Sequence, residues 1–352
     1  MKFKNVLIAF LTALIIGLTP AGVLASETRT VKDSNGQTVT IAAKIDRVAP
    51  SIPAFAQMTE MLTRGGGKIS AAYTRSITPY FKKIFPDYLR SNPKNYDCSS
   101  IEDLVAARTQ VVFGPSSRYS DDQIKQLETL GIPFVALNNI RDVEGMCESY
   151  LTIGEILGET EAARAREFVE YYRGNLAEAT RRTTDVPENE RVRVLSLFFA
   201  GAALTTINQN DICDEYIRSA GGVNVAGDYM RMSQGRVNID QEAIVNWDPE
   251  VIIVNSPEAL KELMTLPGLT GVSAIKNNRV HKCPFGIFLW SVRSGEAAML
   301  PLWLGTIMYP ERFADIDMKK VVTDFFSEYY NHQLNSEGVE RVLASSNQAR
   351  EM

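Results

Sequence analysis

Histidine is almost absent from this sequence: His281 and His332 are the only two in 352 residues. No HExxH pair exists, and a bare metal ion held by several imidazoles is excluded. A hydrolytic triad would have to use one of these two, and neither has a candidate serine nearby in the sequence. Cysteine is scarce as well. Cys98, Cys147, Cys213 and Cys283 contain no CxxC pair, which removes the spacing of a zinc site. Phosphate and nucleophile motifs fail on inspection. Gly65-Gly66-Gly67-Lys68-Ile69-Ser70 has Ile where a phosphate loop needs Ser or Thr, and it runs from a helix into a strand, the reverse of the required order. Gly271-Val272-Ser273-Ala274-Ile275 lacks the last glycine of a nucleophile elbow. No GxGxxG opens a helix after a strand. These absences leave little room for an enzyme. An excess of basic charge is missing too: the net charge is −5, with no electrostatic footprint for nucleic acid.

Long apolar runs are limited to one. Lys2 and Lys4 precede an apolar stretch from Val6 to Leu18, followed by Pro20 and the small-residue site Val23-Leu24-Ala25. The run is too short for a membrane span and reads as a secretory leader over 1–25, cleaved before Ser26. No cysteine follows the site, which argues against a lipid anchor, and a periplasmic destination fits best. Loss of Lys2 and Lys4 takes the net charge from −5 to −7. Export permits disulfides. Cys98 with Cys147, or Cys213 with Cys283, would each close within one half of the chain; four buried free thiols are the other reading.

What is present is a βα rhythm, twice. Thr28–Ala42 alternates around Asn35-Gly36 as a hairpin. Short strands are expected at 47–49, 68–72, 110–114 and 133–137, alternating with helices at 51–64, 102–108 and 121–130. A long proline-free helical stretch follows, with Phe168, Val169, Tyr172, Leu176 and Ala179 on one face. After the break at Pro187 the rhythm restarts, with strands at 191–199, 251–255 and 279–282, helices at 211–220 and 241–246, and a mostly helical end from Gly295. The pattern predicts an α/β protein of two Rossmann-like lobes with central, mainly parallel sheets, covered on both faces. Residues 26–148 form the N-terminal lobe, 149–183 a connecting helix and 184–352 the C-terminal lobe. One internal echo links the halves. Glu102 lies nine residues before Val111, and Glu242 nine before Val251, each at a helix start ahead of a strand.

The chain resembles the periplasmic binding proteins of ABC importers for ferric siderophores, haem and cobalamin. The resemblance rests on the order and spacing of several segments. These are Val31-Lys32-Asp33 through Arg47-Val48, Leu130-Gly131-Ile132-Pro133-Phe134, Ile153-Gly154-Glu155-Ile156-Leu157-Gly158, Ala220-Gly221-Gly222-Val223-Asn224, Trp247-Asp248-Pro249-Glu250-Val251-Ile252, Lys276-Asn277-Asn278-Arg279-Val280 and Tyr309-Pro310-Glu311-Arg312-Phe313. It implies two lobes joined by one long α-helix with limited closure, no catalysis, and no cofactor beyond the cargo. The implied partners are a membrane permease and its ATPase, with the chain acting as a monomer. Glu102 and Glu242 match the family's permease-docking glutamates. The implied cargo is an iron-siderophore-type metal chelate; haem, cobalamin, or a sensor role on the same scaffold are the alternatives. Haem would lack an axial histidine in these loops and would have to use Tyr73 or Tyr119.

Ligands of open α/β sheets sit beyond the carboxyl ends of the strands. That rule selects Tyr73, Arg75 and Tyr80, then Ser116, Ser117, Arg118 and Tyr119, then Phe198, Phe199 and Asn208, and last Phe285, Trp290 and Arg293. The aromatics offer flat walls for a large chelate, and the arginines offset its negative charge. The resemblance places Trp290 and Arg293 foremost among them.

Overall fold

The computed structural model describes residues 27–74, 77–200, 203–233 and 235–346. The expected leader and the candidate Arg75 lie outside these residues. Strands β1 (Thr28–Lys32) and β2 (Thr38–Ala42) form the expected antiparallel hairpin, with Thr28 opposite Ala42. The Asp33 carboxylate accepts the N–H groups of Asn35 and Gln37 and so shapes the turn.

The first sheet is built from β3 (Val48–Pro50), β4 (Val111–Gly114) and β5 (Phe134–Ala136), all parallel in the order β3-β4-β5. Around it run α1 (Pro53–Thr63), α2 (Pro79–Ile84), α3 (Tyr88–Ser91), α4 (Ile101–Ala106) and α5 (Asp121–Thr129). Prolines open α1 and α2, where a missing N–H costs nothing. A reciprocal Ser120–Gln123 capping box opens α5. The strand expected at 68–72 does not form. Ile69 makes one rung with Val48, and Ala72 then turns aside to pair with Asp97.

Helices α6 (Val143–Leu157) and α7 (Glu159–Thr183) connect the halves. The connector expected to begin at 149 therefore starts inside α6, and Gly158, at φ +139°, interrupts it once. The long helix is α7, with 25 residues and a length of roughly 37 Å. It buries Phe168, Val169, Tyr172 and Ala179 on the expected face, with Leu176 half-buried. Arg29 of β1 reaches across to the end of α6, donating to the carbonyls of Glu155 at 2.8 Å and Ile156 at 2.6 Å.

The second sheet has the order β11-β10-β6-β7-β9, with β8 also on β6. Its strands are β6 (Arg193–Ala200), β7 (Ala203–Ile207), β8 (Val223–Asn224), β9 (Arg236–Asn238), β10 (Val251–Val254) and β11 (Val280–Lys282). β8, β10 and β11 run parallel to their neighbours; β7 is antiparallel to both β6 and β9. The sequence pattern missed β7, β8 and β9. Helices α8 (Ile212–Ser219), α9 (Gln241–Trp247), α10 (Pro257–Thr265) and α11 (Ser273–Lys276) flank this sheet, and α12 (Leu300–Met308), α13 (Met318–Tyr330) and α14 (Ser336–Leu343) complete the chain. The largest core cluster runs through both halves and the connector, while smaller clusters cover the outer face of each sheet. α13 packs back onto the N-terminal half: the Tyr330 ring meets Phe85 edge-on at 5.3 Å. No helix of the described residues is long and apolar enough to cross a membrane.

Candidate functional site

The candidate loops follow the carboxyl ends of the parallel strands in both sheets. In the second sheet Val254 pairs with Leu197, so Phe198 lies one residue past the last parallel rung. In the first, Gly114 pairs with Ala136, and the turn Ser116–Arg118 follows directly. The Ser116 N–H donates to the Asn138 side chain at 2.7 Å, which fixes that turn against the loop after β5. Ser116 is half-buried; Ser117 and Arg118 are exposed.

Two arginines stand over rings, one beside each sheet. The Arg118 guanidinium lies 4.9 Å above the half-buried Tyr73 ring. The Arg236 guanidinium lies 3.8 Å above Phe198. Neither forms an ion pair among the described residues, so their N–H edges are available to an anion. Arg236 was missed from sequence because it sits on β9, a strand of only three residues. Arg293 does something else: its Nε donates to the Ile140 carbonyl at 2.5 Å, and its guanidinium approaches Asp211 at 3.8 Å. It ties the loop after β5 to the start of α8.

Three aromatic candidates are withdrawn from the surface. Trp290 has no exposed surface, and its indole N–H donates to the buried Glu296 carboxylate at 3.0 Å. Tyr119 is buried, and its hydroxyl donates to the Cys98 carbonyl at 2.6 Å, so it cannot serve as an axial ligand. Tyr80 is buried against the same Glu296, and burial pushes its hydroxyl above the ordinary tyrosine range. Asn208 is also buried, its amide spent on the carbonyls of Tyr229, Met230 and Ser233. Tyr73, Phe199 and Phe285 remain half-exposed. One hollow of about 650 Å³ lies between the hairpin and α6, and another of about 1140 Å³ beside α8 and β8.

The internal echo becomes geometry. Glu102 is the second residue of α4 and Glu242 the second of α9, behind the caps Ser100 and Asp240. Both are exposed. One turn later stands an exposed valine in each case, Val105 and Val245, each 46% exposed.

The four cysteines are free and buried. Burial pushes the Cys98 and Cys147 thiols up to about 12 and Cys283 to about 11, far from reactive thiolates. Among the described residues no group of three metal-binding side chains gathers.

A family model described as periplasmic binding protein matches residues 94–286, more than half of the chain. The chain belongs to this family. Its members are binding components of ABC importers and not enzymes. As a periplasmic binding protein, the chain is similar to the molybdate-binding protein MolA of Haemophilus influenzae, at 25% identity over 94% of this chain and 97% of that protein. The molybdate-bound structure of that protein superposes with a TM-score of 0.70, at 23% identity, covering 87% of this chain and 99% of the other. A periplasmic solute binding protein from Veillonella parvula gives a TM-score of 0.74 at 21% identity, covering 92% and 100%.

Proposed function

We propose that this periplasmic binding protein captures a small anionic metal species, an oxyanion of the molybdate class, and delivers it to an importer permease with its ATPase. One observation carries the reading: Arg118, just after β4, and Arg236, on β9 of the other sheet, are each stacked on a ring and without a carboxylate partner among the described residues. A stacked guanidinium is held rigid with its N–H edge outward, which suits a compact oxyanion. The similarity to a molybdate-binding protein supports it. The large aromatic wall expected for a siderophore is depleted, since Tyr80, Tyr119 and Trp290 are core residues. An iron-siderophore-type chelate remains the second reading, favoured by the half-exposed Tyr73, Phe199 and Phe285.

Glu102 with Val105, and Glu242 with Val245, form the two docking points for the permease, a salt bridge beside an apolar contact on each lobe. Residues 26–148 and 184–352 act as the two lobes about the connector 149–183, the leader 1–25 directs export, and the chain works as a monomer.

Calorimetric titration with molybdate, tungstate, sulfate, ferric citrate and a ferric catecholate tests the cargo. Molybdate or tungstate is expected to bind best. Arg118→Ala and Arg236→Ala are each expected to weaken it tenfold or more, since a hydrogen bond to a charged group is worth about 1.5–3 kcal/mol. Tighter binding of the catecholate would favour the second reading. Wild-type affinity in both arginine variants would refute the anion site.

A further inference from the structure

A loop of residues 283–295 leads from β11 to the C-terminal helices, and it is folded around one buried carboxylate. Glu296 has no exposed surface. Its Oε2 accepts the Gly286 N–H at 3.0 Å and the Trp290 indole N–H at 3.0 Å. Its Oε1 accepts the Ile287 N–H at 2.8 Å, the Phe288 N–H at 3.4 Å and the Tyr330 hydroxyl at 2.7 Å. Residue 286 has to be glycine, because a Cβ there would lie 2.4 Å from Oε2. The arrangement reaches the other half through α1. Gln57 Oε1 accepts the Gly295 N–H at 2.9 Å, and its amide donates to the Tyr330 hydroxyl at 2.5 Å. The same loop carries Arg293, which bonds Ile140 in the loop after β5.

We propose that Glu296 is the positioning residue of this loop: its carboxylate holds the loop in the shape that receives cargo, and a proton on the carboxylate loosens the loop and weakens binding. An ionised carboxylate accepts all five donors. A protonated one offers fewer lone pairs and adds a donor where four of the five facing groups can only donate. The titratable groups facing it are Tyr330 from α13, Tyr80 from α2 and Cys283 after β11, all neutral in this range. From α1 comes the neutral Gln57, and α7 offers Asn175 to the neighbouring Ala298 carbonyl. Among the described residues no cation pairs with Glu296. Burial pushes its carboxyl up to about 7 against the pull of the donors, so the proton exchanges near neutrality. The inference rests on the reading above and takes this loop as a wall of its cargo site.

The test uses the full mature chain and two kinds of readout. Without cargo, the Trp290 indole N–H resonance is followed from pH 5.5 to 8.5, together with hydrogen exchange at residues 286–288. The resonance is expected to titrate with a midpoint near 7 and to become pH-independent in Glu296→Gln, with loop exchange at least tenfold faster. Tyr330→Phe leaves the carboxylate but removes one donor to its charged form, so the midpoint is expected to move up; this variant decides the matter if Glu296→Gln does not fold. With sodium molybdate as probe, affinity is expected to fall several-fold from pH 8 to 6 in the wild type and to stay flat in Glu296→Gln. A pH-independent resonance in the wild type, or wild-type loop exchange in Glu296→Gln, overturns the proposal. So does a loosened loop that leaves molybdate affinity unchanged. If the wild type binds no molybdate, the cargo reading fails while the resonance and exchange data still decide whether Glu296 holds the loop.

Discussion

Glu60 makes stability rise as the solution is made less alkaline, and the size of the effect can be worked out. The side chain lies on α1 with no exposed surface, and neither carboxyl oxygen completes a hydrogen bond among the described residues. The Gly67 amide lies close enough to ease the charge, and Asp87 opposes it, but burial dominates and pushes the carboxyl from 4.5 up to about 8. The unfolded chain keeps the ordinary value. The folded-state value is the raised one, so the folded chain binds the extra proton first. Stability is therefore gained as pH falls through 8 and lost as pH rises through it. Between pH 8 and 6.5 that amounts to about 2 kcal/mol at about 1.4 kcal/mol per unit. Glu296, at about 7, adds less than 1 kcal/mol over the same range. Burial lowers the two histidines, so their protonation in the unfolded chain opposes the trend, by less than 1 kcal/mol in total at pH 6.5. The net is about 2 kcal/mol, or about 4 °C in Tm. Differential scanning calorimetry at pH 8.5 and 6.5 measures it. Glu60→Gln is expected to raise Tm at pH 8.5 and to flatten most of the slope. A wild-type Tm that falls on going to pH 6.5, or a slope unchanged in Glu60→Gln, would refute the reasoning.

Two further predictions follow from surface and core. Glu102→Ala with Glu242→Ala is expected to abolish cargo uptake by cells while leaving binding in solution unchanged; uptake at the wild-type level would remove these residues from the docking role. Cys98, Cys147, Cys213 and Cys283 are expected to resist a thiol reagent in the folded chain at pH 8 and to react fully in urea, giving four thiols by absorbance.

The sequence made the repeating units legible because they are local. Helix α4 before β4 and helix α9 before β10 announce themselves through an acidic first turn and a run of valine or isoleucine nine residues on. Strands β7 and β9 escaped because they are short. Ala203–Ile207 carries two threonines and little alternation, and β9 has only three residues, so their pairing is a tertiary fact. The site was half legible. Strand ends select loops, but they do not tell which side of a loop is wet. Trp290 looked like a cleft aromatic until Glu296, six residues later, took its N–H. Tyr119 follows an exposed turn, yet turns inward to the Cys98 carbonyl. Arginine told a similar story: Arg118 stays out over Tyr73, whereas Arg293 is occupied in joining the two halves.

The clasp of Arg29 on the end of α6 also bears on the order in which the chain can assemble. Its acceptors, Glu155 and Ile156, come 126 and 127 residues later. At roughly 5–20 residues per second of synthesis, the hairpin waits about 6–25 s for them. The hairpin is thus made well before it is locked, since the loop it closes is long and only its completion brings the bond. A chain threaded outward from this end would leave β1 unlocked until more than a third of the chain's length had followed.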